Sequence, residues 1–520
     1  MRLVIAILCL CLSALSPSAW AGDAGAVLQE RLYLVTDRAC YDAGDRMWLR
    51  VFMADASTRR PVVQSNYVHV ELLDESATVV DRVTLMAREG VFNGYIDLPP
   101  SADNGTYYIR AYTRLNANRP DLESVARVAV GKNWRGESKH ISRPDHEPQV
   151  WAEPAGDSTR VYIQLPDECA LIEASMAVAV STDSVVPRLD IGTSLSRDLL
   201  SDHVNGTTET AQRVTGRVTA MDGKVLPGKA TVMMLAPQAD FYESTMTGID
   251  GRFAFEDLEL ADSTVLIIQA TDSKNRGNVL LTIDEEQFPE CKYPLASDDF
   301  DMKDYMVAGG RNVVLDELQV HAIHVARVGE IDAFSTIADA SLSQERLEEI
   351  DASCLHDVFR RIAGVHLTSD ERIIIRGRTS IYGDSYASIA VDGVVQPEEF
   401  DLHSIPMADV ARVDVFKSGT SMIWGVDGGR GLISITTKSG KIASMKRTTP
   451  NLKKVIATGY QAAKPFISGS RTLYWNPAVK THANKLLWFN ISRAAHFSVN
   501  IEGLTDDGKT IATHAEFISH

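Results

Sequence analysis

The sequence predicts a mainly β, multidomain chain: serial β-sandwiches with one small α/β module and a closing sandwich segment. Three observations carry this. Over most of the chain, short runs with apolar residues at alternate positions are broken by Gly, Asp, Asn or Pro about every 8–12 residues, the pattern of half-buried strands and tight turns. One stretch, beginning at Leu355, has helical apolar spacing that gives way to strand runs. At 520 residues the chain is also too long for one hydrophobic core.

Residues 1–21 read as a secretory signal. Arg2 supplies the charged start, Leu3 to Leu15 the apolar run, and Ala19-Trp20-Ala21 the cleavage pattern. The apolar run is too short to span a bilayer, and Cys9 and Cys11 lack the small residues that precede a lipidated cysteine. An exported chain starting near Gly22 is expected, without a transmembrane segment of its own. The full sequence's formal charge of −17 argues against a nucleic-acid partner, which would favour a basic face. Cys40, Cys169, Cys291 and Cys354 are isolated from one another and fall in different units, so thiols rather than bridges or a metal cluster are expected.

Residues 22–135 are the first sandwich, with strand runs at Leu32–Val35, Met47–Phe52, Val68–Leu73 and Tyr107–Tyr112. Tyr41-Asp42-Ala43-Gly44-Asp45 and Asn104-Gly105 supply turns. The Asp37–Asp45 stretch, together with Gly105–Tyr112, resembles a macroglobulin-type sandwich of the immunoglobulin-like class. Some members of that family trap proteases around a thioester, but no C-x-E-Q occurs here, so the resemblance implies scaffold. Residues 145–210 are expected to form a second sandwich, with runs at Arg160–Ile163 and Ala174–Val180 and a less regular part from Ser184 to Thr210.

Residues 213–285 form a third. Asp250-Gly251 is expected as a hairpin turn whose glycine takes positive φ, and Phe253 and Phe255 share one core face. Gly216-Arg217-Val218, Leu226–Val232 and Thr247–Phe255 resemble a carboxypeptidase-regulatory-like domain. That module is not the peptidase, and neither H-x-x-E nor H-E-x-x-H is found for a zinc site.

Residues 286–345 read as a linker. Its acidic cluster, Asp298, Asp299, Asp301 and Asp304, lacks the ordered ligands of a calcium loop. His321 and His324, three apart on an expected strand, would face opposite ways rather than share a metal.

Residues 346–440 are the α/β module. Leu355, Val358, Phe359 and Ile362 form one helical face that Gly364 ends. Strands are expected at Ile373–Ile375, Ser388–Val391, Val413–Phe416 and Leu432–Ile435, with a turn at Asp392-Gly393. Gly425, Gly428, Gly429 and Gly431 allow an irregular loop. These glycines match neither G-x-G-x-x-G nor a Walker loop. Gly383-Asp384-Ser385-Tyr386-Ala387 approaches the hydrolase elbow, but a strand rather than a helix follows.

No catalytic constellation, cofactor site or metal site emerges, and a non-enzymatic protein is expected. The run Ile362-Ala363-Gly364-Val365, Arg376-Gly377, Val391-Asp392-Gly393-Val394, Arg412–Val415, Lys417-Ser418-Gly419, Gly425 and Ile433–Lys438 resembles the plug domain of TonB-dependent outer-membrane receptors. Within it, Gly364, Arg376, Gly377, Asp392, Gly393, Arg412, Lys417, Gly419, Gly425, Gly431 and Thr436 are the candidate site positions. In that family the plug closes a barrel of 22 strands and couples to TonB through a short N-terminal box. Residues 439–520 are expected to be too few for that barrel, whose strands alone need roughly 200 residues, and no convincing TonB box follows the signal.

Residues 441–464 read as a basic linker with Lys446, Arg447, Lys453 and Lys454, and 465–520 as a closing sandwich segment. The order of modules resembles envelope proteins of Bacteroidetes that join macroglobulin-like and plug domains. The resemblance implies binding or assembly in the periplasm or at the outer membrane, with an outer-membrane or cell-surface protein as partner. Accessory or receptor work in TonB-dependent uptake and macroglobulin-like protease inhibition are the alternatives.

Overall fold

The computed structural model describes residues 29–119, 121–131, 143–169, 172–183, 191–196, 208–236, 241–274, 276–291, 338–350, 352–375, 386–392, 394–416, 431–439, 451–462, 464–469, 471–481 and 486–518. They fall into two compact units. One is drawn from Met1–Glu209, Pro289–Arg311 and Ala463–His520, the other from Thr210–Phe288 and Asn312–Ala462.

The first unit holds two sandwiches. In the N-terminal one, the three-stranded sheet Glu30–Thr36, Arg46–Asp55, Phe92–Asp97 faces a five-stranded sheet built around Tyr67–Leu73 and Gly105–Tyr112. Leu32, Leu34, Leu49, Val51, Val70, Leu72 and Ile109 meet between them at alternate strand positions, while the other face of Glu30–Thr36 and Arg46–Asp55 is buried too.

The second sandwich corrects the expected domain boundaries. Ser158–Gln164 lies between Gln149–Ala155 and Leu486–Ser492, and Ala174–Ser181 lies between Thr472–Thr481 and His496–Thr505, with Thr510–Ile518 outermost. Residues 465–520 are therefore the missing half of the sandwich begun at 149, with Val161, Ile163, Val178, Phe497 and Ile501 in one core. The physical reason is that neither part can bury both apolar faces of its sheets alone.

The short helix Ile191–Leu195 lies in the span expected to be irregular, and it has a packing role. Ile191 and Leu195 join Tyr33, Trp48, Phe52, Ala177, Ala179 and Trp475 in a cluster that ties the two sandwiches together. At the same seam the buried Arg50 guanidinium donates to Ser175 Oγ (2.8 Å) and to the Pro477 carbonyl, and lies 3.8 Å over the Phe52 ring. With no carboxylate beside it, burial pushes this group down to about 9.

In the second unit, Gln212–Thr219, Arg252–Leu258 and Leu280–Ile283 form one sheet and Thr231–Ala236, Phe241–Met246 and Val265–Thr271 the other. Phe253 and Phe255 sit in the core together, as their spacing predicts. Gly251 has φ +82°, but Asp250-Gly251 is not a hairpin turn: it carries the chain from Phe241–Met246 in one sheet to Arg252–Leu258 in the other. The expected basic linker also contributes a strand. Leu452–Ile456 pairs antiparallel with Val265–Thr271, and Asn451 Nδ2 donates to the Ala270 carbonyl (3.0 Å). Apolar Leu452 and Val455 flank the lysines and pack in different clusters, Val455 against the sandwich core and Leu452 beside Leu235 and Ile267.

The chain is thus nested: a module at 340–437 is inserted in the third sandwich, which is inserted in the second. The expected clusters at Asp298–Asp304 and His321/His324 lie outside the described residues, and so do Gly383–Ser385 of the elbow-like motif.

Candidate functional site

The inserted module is built on a five-stranded sheet in the order Ala340–Leu342, Val410–Phe416, Leu432–Thr437, Ser388–Val391, Val394–Val395, with Ser388–Val391 parallel to Leu432–Thr437. The edge strand Ala340–Leu342 falls in the span expected to be linker; Ser341 pairs with Asp414.

Strand alternation gives the sheet two buried faces. Val413, Val415, Ile433 and Ile435 point to the helices Gln344–Ile350 and Leu355–Phe359 and the hairpin Val365–Leu367/Ile373–Ile375. Phe416, Leu432 and Ala390 point the other way and pack on Leu235, Ile267 and Leu452 of the third sandwich. A sheet covered on both sides buries polar as well as apolar positions here, with Asp414 and Ser434 enclosed among the apolar residues of Val410–Phe416 and Leu432–Ile435.

The candidate positions resolve into structural roles. Gly364, at φ +83°, turns the chain from the helical segment into Val365–Leu367. Gly431, at φ +76°, has Ile375 Cδ1 2.9 Å and the Phe416 carbonyl 3.0 Å from where a Cβ would stand. Asp392 (φ +48°) fills the two-residue turn between Ser388–Val391 and Val394–Val395. Its carboxylate accepts from Thr437 N and Thr437 Oγ1, both at 2.7 Å. Arg412 is cross-strand from Thr436, and its Nε donates to the buried Asp414 carboxylate (2.7 Å), which also accepts from Ser341 Oγ (2.6 Å). Arg376, Gly377, Gly393, Lys417, Gly419 and Gly425 lie outside the described residues.

The structure also gathers three residues that sequence spacing does not connect. His356 lies on the helix Leu355–Phe359, Glu371 in the turn between Val365–Leu367 and Ile373–Ile375, and His403 in the 3-10 turn Leu402–Ser404. Leu355, Ile362, Ile373 and Leu402 bury beneath these segments and draw them together. The His356 and His403 rings lie 4.7 Å apart, tilted by 33°. His403 Nε2 is 3.3 Å from Glu371 Oε2. The Asp401 carboxylate accepts from His403 N (2.9 Å) and fixes the turn. One donor atom from each of the three residues lies within 4.8 Å of the other two. His356 is 6% exposed and its Nδ1 has no hydrogen-bond partner.

The first unit carries a different surface. On the outward face of the sheet Gln149–Ala155, Ser158–Gln164, Leu486–Ser492, Tyr162 is cross-strand from both Trp151 and Trp488. Trp151 stacks on Tyr162 at 5.1 Å, and Arg160 lies 4.6 Å over the Trp488 ring. Trp488 is 57% exposed. Alternation predicts that these side chains share a face, but only the pairing of Leu486–Ser492 with Ser158–Gln164 makes them neighbours.

Residues 333–432 match the TonB-dependent Receptor Plug Domain family, and residues 31–126 match the MG2 domain family. The first covers the inserted module and the second the N-terminal sandwich. Two proteins of Formosa agariphila are weakly similar. TonB-dependent receptor P26 is 24% identical over 48% of this chain and 23% of its own length, and TonB-dependent receptor P39 is 25% identical over 51% and 22%. The chain therefore spans less than a quarter of either relative. Among solved structures, trypsin-activated α2-macroglobulin from Escherichia coli aligns with 94% of this chain and 41% of its own at 8% identity and a TM-score of 0.25, too loose a superposition to carry a fold assignment. The chain carries a plug domain and an MG2 domain in a mainly β, multidomain architecture.

Proposed function

We propose that this is an exported, non-enzymatic protein of the bacterial envelope that uses its plug and sandwich modules for binding or assembly at the outer membrane. The observation that carries the reading is the joining of a plug domain to the chain's own sandwiches. The plug sheet's second face is filled by Leu235, Ile267 and Leu452, so the plug is presented as part of a larger β framework. The plug match and the two receptor relatives favour the outer membrane as the setting. The row of half-buried Trp151 and Tyr162 with exposed Trp488 favours a binding role, because aromatic groups supply contact area at low entropic cost.

Crosslinking in intact cells followed by fractionation tests this. Recovery of the chain with membrane fractions, crosslinked to an outer-membrane or surface protein, supports it. A free monomer in the soluble fraction with no crosslinked protein overturns it.

A second reading, an accessory or receptor component of TonB-dependent uptake, is favoured by the names of the two relatives. Co-purification with an outer-membrane barrel separates it from general assembly. The MG2 match keeps a macroglobulin-like inhibitor in view. The sequence lacks the thioester motif, and unchanged protease activity after incubation with the chain disposes of that role.

A further inference from the structure

We propose that His356, Glu371 and His403 form a site on the plug for a divalent first-row transition-metal ion of zinc(II) type. Two imidazoles and one carboxylate are the donor set that borderline ions such as zinc(II) prefer over calcium or magnesium. The three donors come from a helix, a hairpin turn and a 3-10 turn, and their ligand atoms already lie within 4.8 Å of one another. Around a tetrahedral ion with bonds of about 2.0–2.1 Å, ligand atoms stand roughly 3.3–3.5 Å apart. The widest separation must close by up to about 1.4 Å, a side-chain adjustment rather than a refolding. His403 and Glu371, with side chains 52% and 65% exposed, have the freedom to make it.

The fixed member is His356. Its ring is buried against His403, and Nδ1 has no hydrogen-bond partner. A buried polar nitrogen is almost always satisfied in a folded protein. The competing explanation, a stacked imidazole pair with one ordinary His403–Glu371 contact, accounts for the exposed pair and leaves the buried ring unexplained. Three protein donors leave a fourth position for water or a group brought by a partner. An ion held there would also tie together three segments that otherwise meet through the apolar residues beneath them, the His356–His403 ring contact and the His403–Glu371 contact.

The test is calorimetric titration of the chelator-treated full chain with zinc(II), beside the double variant His403→Ala/Glu371→Gln and the single variant His356→Ala. Other histidines bind zinc weakly in both backgrounds, so the difference between them is what counts. Wild type is expected to take up one more equivalent than the double variant, with His356→Ala weakening that uptake tenfold or more. Zinc is expected to raise the melting midpoint of wild type and leave the double variant unmoved. Equal stoichiometry and affinity in wild type and the double variant overturn the proposal. If the ion-free double variant melts below wild type, His403→Gln carries the same comparison with the same two outcomes. The result is independent of the envelope role proposed above, since it is read on the purified chain.

Discussion

Phe416→Ala probes the seam between plug and sandwich. Phe416 is fully buried and packs with Leu432 and Ala390 from the plug sheet and Leu235, Ile267 and Leu452 from the sandwich. Truncating a buried Phe costs about 3–5 kcal/mol through lost transfer energy and the cavity left behind. Ala390 leaves little side chain to fill the space, while Leu235 and Leu452 on the other side have some freedom to relax inward, so about 3 kcal/mol is expected, roughly a 150-fold shift in an opening equilibrium. Amide hydrogen exchange reads it directly: protection should fall in Leu432–Thr437 of the plug and in Thr231–Ala236 of the sandwich together. Loss confined to the plug strands, with Thr231–Ala236 unchanged, would show that the two modules do not share a core and would refute the reasoning.

Arg412→Met should destabilise the plug by about 2–3 kcal/mol, because it strips a guanidinium from a carboxylate that is 1% exposed, and Asp414→Asn in the same chain should restore most of the loss. Chemical denaturation of the single and double variants checks this. Native-state labelling with a thiol reagent at pH 8 should modify the half-buried Cys291 and Cys354 and spare Cys40 and Cys169 until urea is added, since burial pushes the Cys40 thiol up to about 12 and raises that of Cys169 as well. Asp272 accepts from Arg276 side chain and backbone, which holds its carboxyl down at about 2 against an ordinary 3.8. A lowered acid stabilises the fold above its unfolded value and loses that contribution as pH falls from about 4 toward about 2, so the wild-type advantage over Asp272→Asn in melting midpoint should vanish across that window.

Much of this architecture is legible in the sequence, for reasons particular residues make plain. Alternation at Met47–Phe52, Val68–Leu73 and Ala174–Val180 marks strands, and the observed strands contain these runs, though the structure buries both faces of each. Alternation states which residues face inward and is silent on which strand lies alongside. Gln149–Ala155 and Thr472–Thr481 therefore read as separate sandwiches although they complete one. Leu452–Ile456 was hidden for another reason: Lys453 and Lys454 dominate its composition, and only its place beside Val265–Thr271 shows Leu452 and Val455 at work. Asp250-Gly251 has hairpin chemistry, yet the need to cross between sheets decides its use. Of the candidate site, Gly364, Gly431 and Asp392 stand where backbone conformation demands them, which spacing predicts. His356, Glu371 and His403 carry no local signal, because each belongs to a different turn and only tertiary packing brings them together.

The nesting sets an order of assembly. Sequence separation across the closing contacts is 73 residues in the plug (Ser341 to Asp414), 181 in the sandwich around it (Ala270 to Asn451) and 330 in the outermost (Arg160 to Asn490). Loop closure grows only logarithmically with length, so the outermost closure costs about 1 kcal/mol more than the innermost in a bare chain. The larger penalty is in time, since distant pairing is slow. As the chain emerges from its N-terminus, Gln149–Ala155 and Ser158–Gln164 can pair with each other, but the free edge of Ser158–Gln164 and both edges of Ala174–Ser181 wait for the last strands. Their unpaired edges make this the interval of greatest aggregation risk. Each inner domain that folds shortens the tether for the next one out, so among the nested domains the sandwich begun at Gln149 closes last.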